Sequence, residues 1–198
     1  TGGAQAQGGS LILAEDPTVN SEATQRFAMP ANATTLRFTI QDAVFEAHEG
    51  GPSDAFEFAL LDDAMQSLAG AVGLSHSDAA LNIQADGRVF ASSVVQVAGL
   101  GANDLLDTGE VLTVTVDLTG ISPGATAKLY FDLIGFGALG SHVSIDNVLI
   151  IEGQEVNDPP MAVDDSAEVA EDDSVDIPVL ANDSYPEGDA ISVLLVDG

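Results

Sequence analysis

The chain has 198 residues, with 32 Asp and Glu against 4 Lys and Arg, for a formal charge of −28. A phosphate-binding track needs clustered Lys and Arg, and Arg26, Arg37, Arg88 and Lys128 are the only permanent cations, so nucleic acid is excluded as a partner. The absence of cysteine rules out disulfides, thiolate metal sites and cysteine nucleophiles, and no window approaches the roughly 20 apolar residues of a membrane span, so a soluble chain without membrane insertion is expected.

Residues 1–9 (TGGAQAQGG) are small and polar and read as a linker. With no initiator Met and no charged segment leading into an apolar run, the chain reads as an internal excerpt. From residue 10 to 153, short runs of period-two alternation recur between turn signals. Strands are predicted at 10–14, 26–29, 36–40, 55–61, 81–84, 89–97, 111–118, 127–134 and 143–151. In 55–61, Phe56, Phe58 and Leu60 share one face with Glu57 on the other. Asp86-Gly87, Asn103-Asp104 and Ser122-Pro123-Gly124 supply turns. Residues 64–74 carry apolar positions that also fit one short helix, and strand and loop is the reading preferred there. About nine or ten strands without a convincing long helix predict an all-β fold, a jelly-roll-like antiparallel β-sandwich.

Residues 154–160 include Asn157-Asp158-Pro159-Pro160, which denies backbone donors and reads as a hinge. Beyond it the composition turns strongly acidic, with 13 acidic residues and no base from Glu155 onward. The β-patterned runs 175–180 and 190–196 predict strands in that stretch. From Asn157 the sequence NDPPMAVDDSAEVAEDDSVDIPVLANDSYPEGDAISV resembles the cadherin-like tandem repeats of giant bacterial surface adhesins, including the RTX type. Residues 161–198 match the first half of such a repeat, an incomplete cadherin/Ig-like segment. The resemblance implies calcium held within and between neighbouring repeats of the same chain, with Asp158, Asp164, Glu171, Asp183, Glu187 and Asp189 as the carried-over ligands. Tyr185 stands where the family commonly has another Asp.

The larger domain resembles the jelly-roll sandwiches of bacterial carbohydrate-binding modules at its two ends, Leu11-Ile12-Leu13-Ala14-Glu15-Asp16 and Val143-Ser144-Ile145-Asp146-Asn147-Val148-Leu149. That resemblance implies adjacent first and last strands and one structural Ca²⁺ between Glu15 and Asp146. The segment DAFEFALLD, from Asp54 to Asp62, also resembles sandwich domains found beside cadherin-like repeats. Such modules stack sugars on exposed aromatics, often Trp, and this chain has no Trp and two Tyr.

The apolar fraction of 45% is enough for a core, so the acidity does not mark disorder. Carboxylates at this density repel one another in a compact state unless cations neutralise some of them. Ca²⁺, a hard cation with oxygen ligands, is the leading cofactor, with a solvating coat and a halophile's adaptation as the other readings. The acidic loop 42–54 offers a second Ca²⁺ site through Asp42, Glu46, Glu49 and Asp54, or is a solvated loop. His48, His76 and His142 lack the spacing of zinc sites. His142 closes the glycine-rich run Gly135-Phe136-Gly137-Ala138-Leu139-Gly140-Ser141, so Phe136 and His142 are the ligand-contact candidates, a mobile hairpin tip being the alternative. Asp107-Thr108-Gly109 resembles a protease triplet without the second carboxylate that chemistry requires, and reads as a turn. Lys128 suggests an isopeptide or, more simply, an ion pair.

The function expected is a calcium-dependent extracellular binding or adhesion module of a large bacterial surface or secreted protein, recognising glycan or a surface polymer and not acting as an enzyme. A spacer or protein-interaction segment without a small ligand is the alternative, and a glycan-active hydrolase the third reading.

Overall fold

A computed structural model describes residues 3–15, 20–46, 53–75, 77–107, 109–135, 140–153, 159–185 and 190–193. The chain divides into two units, Thr1–Gly153 and Gln154–Gly198. Eleven strands are found among the described residues of the first: β1 (Gln5–Gln7), β2 (Ser10–Ala14), β3 (Asn20–Ala28), β4 (Ala33–Val44), β5 (Ala55–Leu61), β6 (Leu81–Gln84), β7 (Val89–Ala91), β8 (Val95–Ala98), β9 (Leu112–Asp117), β10 (Thr126–Ile134) and β11 (His142–Glu152). The described residues contain no α-helix, only a 3-10 turn at Ala102–Asp104.

The strands form two antiparallel sheets, β1-β2-β11-β4-β9-β8 and β3-β10-β5-β6-β7. The pairs nest, β2 with β11, β3 with β10 and β4 with β9, and successive pairs alternate between sheets. That wrapping is the jelly-roll arrangement, and β2 lies beside β11 as expected of the two end segments. Alternation drives it. In β10, Leu129, Phe131 and Leu133 point inward while Lys128, Tyr130 and Asp132 point out. Phe38 of β4, Phe58 of β5 and Phe131 meet at the centre with ring centroids 5.1 to 5.7 Å apart, the separation aromatic pairs favour.

Two expectations change and a third is narrowed. The stretch read as a linker contains β1, which Gly8 and Gly9, at φ 64° and 99°, turn back onto β2. Gly3 N–H also donates to Ser21 Oγ at 2.9 Å, so this segment is part of the sandwich. The single strand predicted at 89–97 is two, β7 and β8 in different sheets, because Ser92 makes a corner: its N–H bonds Ala80 O, its hydroxyl bonds Ala69 O at 2.6 Å, and its carbonyl accepts from Val95. Residues 64–74 are neither helix nor regular strand. Asp62 Oδ1 caps the N–H groups of Ala64 and Gln66, and Leu61 and Ser67 form one bridge.

In the second unit, Met161 and Ser184 exchange backbone hydrogen bonds at 2.8 and 3.0 Å, and Asp183 Oδ1 accepts Val163 N–H at 2.8 Å. Contrary to expectation, residues 175–180 form no strand, and Val175, Ile177, Val179 and Leu180 stay exposed. Within the described residues no opposing apolar face covers them. The 190–196 run lies partly outside the described residues.

Candidate functional site

The register of three strands assembles one end of the sandwich. His142 opens β11 opposite Ala14 of β2 on one side and Val44 of β4 on the other. Glu15 and Glu46, each just past a strand end, therefore flank Gly140 and Ser141. Glu15 Oε2 accepts the N–H groups of both Gly140 and Ser141 at 2.9 Å, and Glu15 N–H donates to Ser141 O at 3.0 Å. Ser141 Oγ accepts Glu46 N–H at 2.8 Å and donates to Asp54 Oδ2 at 2.5 Å. Asp54 and Ser141 are both buried. A buried carboxylate with a hydroxyl donor avoids the cost an unpaired one would carry.

His142 completes the cluster. Its Nε2 lies 3.1 Å from Asp42 Oδ2 and its Nδ1 3.1 Å from Gly140 O, so each ring nitrogen faces an acceptor. The two glycines that bound the loop make room for carboxylates. A Cβ at Gly135 would overlap Glu15, and one at Gly140 would lie 2.8 Å from Glu46 Oε1.

Of the predicted site residues, Glu15, Asp42, Glu46, Asp54 and His142 thus come together. Asp146 does not. It lies beyond the Ile145–Leu11 pair, opposite Ser10, whose hydroxyl donates to its Oδ2 at 3.2 Å. Five positions along β11 from Ser141 amount to about 16 Å at strand rise. One ion shared by Glu15 and Asp146, as implied by the carbohydrate-binding-module resemblance, is incompatible with this register. Asp146 instead opens a bulge at Asn147 (φ 53°), with its other oxygen on Asn147 N–H at 2.6 Å. Ser141 is the hub, and no local sequence signal marks it, because strand register brings Glu46 to it and the packing of the opposite sheet brings Asp54.

In the second unit Asp164 and Glu171 are exposed, and Asp183 serves Val163 N–H. Asp158, Glu187, Asp189, Phe136, Glu49, His48 and His76 lie outside the described residues. Among the described residues no group of three or more His, Asp or Glu is arranged to hold a metal ion. The carboxylates of Glu15, Asp42 and Asp54 each have a protein partner, so as placed they form no cation cage. Lys128 Nζ sits 3.8 Å from Met65 Sδ on the outer face of β10, outside the core where an isopeptide would form. Asp107 begins a turn with Glu110 N–H on its carbonyl.

An apolar cavity of about 340 Å³ opens elsewhere, lined by Phe27, Leu36, Leu129, Val148 and Leu149 beside the β11 bulge. No described helix is long and apolar enough to cross a membrane.

Against known families, residues 157–198 match the bacterial Ig domain. No curated protein and no solved structure matches the chain. The C-terminal segment is therefore Ig-like, which agrees at a coarse level with a module of an extracellular or surface protein. The match covers less than half of the chain, and the sandwich stands outside it.

Proposed function

We propose that the chain is an extracellular binding or adhesion module of a large bacterial surface or secreted protein, with its ligand-contacting loops at the Ser141 end of the sandwich. The observation that carries this reading is the convergence of three strand ends on one buried Asp54–Ser141 pair, with Glu15 clamping the loop entrance at two N–H groups. A rigid platform carrying loops at one end is how sandwiches present binding surfaces. The proposed ligand is a glycan or surface polymer, contacted by His142 and Phe136.

Calcium belongs to the same reading, supported by charge and not by an assembled site. A folded chain of −28 gains from any cation that binds it in preference to the unfolded state. At about a hundredfold excess over Kd that gain is about 2.7 kcal/mol. The spacer reading is favoured by one observation: Phe38, Phe56, Phe58 and Phe131 are all buried in the core, and the chain has no Trp to stack on sugars. A glycan array in Ca²⁺ separates the two. Reproducible binding lost in His142→Ala or Phe136→Ala supports the binding module, and silence across the array supports the spacer.

A further inference from the structure

Of the four permanent cations, Arg88 stands at the Ser141 end of the sandwich, on the hairpin that joins β6 to β7. Arg26, Arg37 and Lys128 lie six or seven residues back from that end of β3, β4 and β10, roughly 20 Å at strand rise. The hairpin is tied down on both sides. Ala85 N–H donates to Asp54 O at 3.1 Å, so the turn rests on the residue whose carboxylate accepts Ser141 Oγ. Gly87, at φ 82°, closes the turn with its N–H on Gln84 O at 2.9 Å, and its own carbonyl accepts Leu106 N–H at 2.8 Å.

Arg88 is held in one orientation by two contacts. Its backbone N–H and its Nε donate to Asp86 Oδ1 and Oδ2 at 3.1 and 2.7 Å, which engages both oxygens of that carboxylate. Its guanidinium carbon lies 5.8 Å from the centre of the Phe90 ring. Neither Nη group has a protein partner among the described residues. Beside the guanidinium opens a cavity of about 310 Å³, lined by Ser53, Ala55, Gln84, Ala85 and Asp86 as well as Arg88. Ala55 is the strand partner of Gln84, and its single methyl leaves the space beside that amide open. The Gln84 amide and the Ser53 hydroxyl likewise have no partner among the described residues.

We propose that this cavity receives the oxyanion of an acidic sugar residue, a uronate carboxylate or a sulfate ester. The inference rests on the reading of the Ser141 end as the ligand-contacting end, and names the class of ligand taken there. A guanidinium whose Nε is already engaged presents its two Nη groups as a fork, the geometry that grips two oxygens of one anion. The Gln84 amide and the Ser53 hydroxyl add neutral donors beside it. Asp86 turns both oxygens to Arg88, so neither meets the anion unpaired. The chain's charge of −28 opposes an anion at long range. At physiological salt, however, exposed charges beyond about 8 Å are largely screened, and the groups lining the cavity set the balance. A neutral sugar would use the same donors without the gain from charge.

The test uses the full chain, ¹⁵N-labelled, titrated with trigalacturonate, with its fully methyl-esterified form, and with a sulfated galactose trisaccharide. Saturable shifts at Arg88 Nε and at the amides of Gln84, Ala85 and Asp86 are expected with the acidic sugars and not with the ester. Response to one acid alone identifies the source of the oxyanion. Arg88→Gln should weaken binding by about tenfold or more, the worth of a charge-assisted hydrogen bond. Arg88→Lys, which keeps the charge without the fork, should recover only part of it. The Arg88–Asp86 pair is exposed, so the melting temperature of both variants should stay near that of the wild type. Equal binding of the ester, or acid binding unchanged in Arg88→Gln, would overturn the proposal and leave the loop-end reading standing. Silence toward all three sugars would also overturn it, and the glycan array then decides the loop-end reading by itself.

Discussion

Two stretches of the chain carry the same period and end differently. In β10, Leu129, Phe131 and Leu133 alternate with polar residues and are buried to 5% exposure or less. In the second unit, Val175, Ile177 and Val179 alternate with Asp176 and Pro178, and are 47%, 44% and 42% exposed. Period two marks out a face, but burial requires a second face to close on it. β10 has that partner in Phe38 of the opposite sheet, whereas no described residue of the second unit offers one. Pro178 also removes a backbone donor from the middle of the run, which works against a ladder there.

Truncation should show the contrast most strongly. Phe58→Ala, at the centre of the aromatic cluster, is expected to cost about 3–5 kcal/mol in urea unfolding. Ile177→Ala should stay within about 0.5 kcal/mol, and a comparable loss at both positions would break the comparison. Ser141→Ala leaves buried Asp54 without its hydroxyl donor and should cost about 1–3 kcal/mol. Asp183→Ala, in the second unit, removes a more accessible bond and should cost visibly less.

The glycines sharpen the picture within the sandwich. Gly135→Ala drives a methyl into Glu15, which two N–H groups hold in place, and should cost about 1–3 kcal/mol. Gly140→Ala meets the exposed end of Glu46, which can swing aside, so its melting temperature should fall less. Equal shifts would mean that Glu15 is not clamped.

The smallest effect expected is at the surface. The hydrogen bond from Arg26 holds the Asp63 carboxyl below its ordinary value of 3.8, as Thr119 does for Asp117. A lowered value means that the folded state favours the carboxylate. The contribution is therefore present above the unfolded value and lost as pH falls through the folded one. Both groups are exposed, so Asp63→Asn should only slightly flatten the acid limb of a melting-temperature series. A steep change there would mean that the pair counts for more than an exposed ion pair should.

What could be read from sequence followed the strength of alternation. β6, β10 and the Phe56-Glu57-Phe58 part of β5 have apolar and polar residues in turn, and their positions were legible. β1 and the first half of β3 consist of small and polar residues, and only pairing with β2 and β10 makes them strands. The break between β7 and β8 depends on one serine whose partners, Ala69 and Ala80, are remote in sequence. The same holds for the candidate site. Its acids were visible as residue types, but Asp54 meets Ser141 through the packing of one sheet on the other, and Asp146 stands apart from Glu15 through the register of β11 on β2, neither of which a local pattern encodes.

Calcium titration by calorimetry, with thermal melts of the same sample before and after EDTA, tests the central claim most directly. A calcium-dependent extracellular module predicts saturable, stoichiometric heat and a sandwich that melts at lower temperature once chelated. A flat titration with an unchanged melting temperature would contradict it.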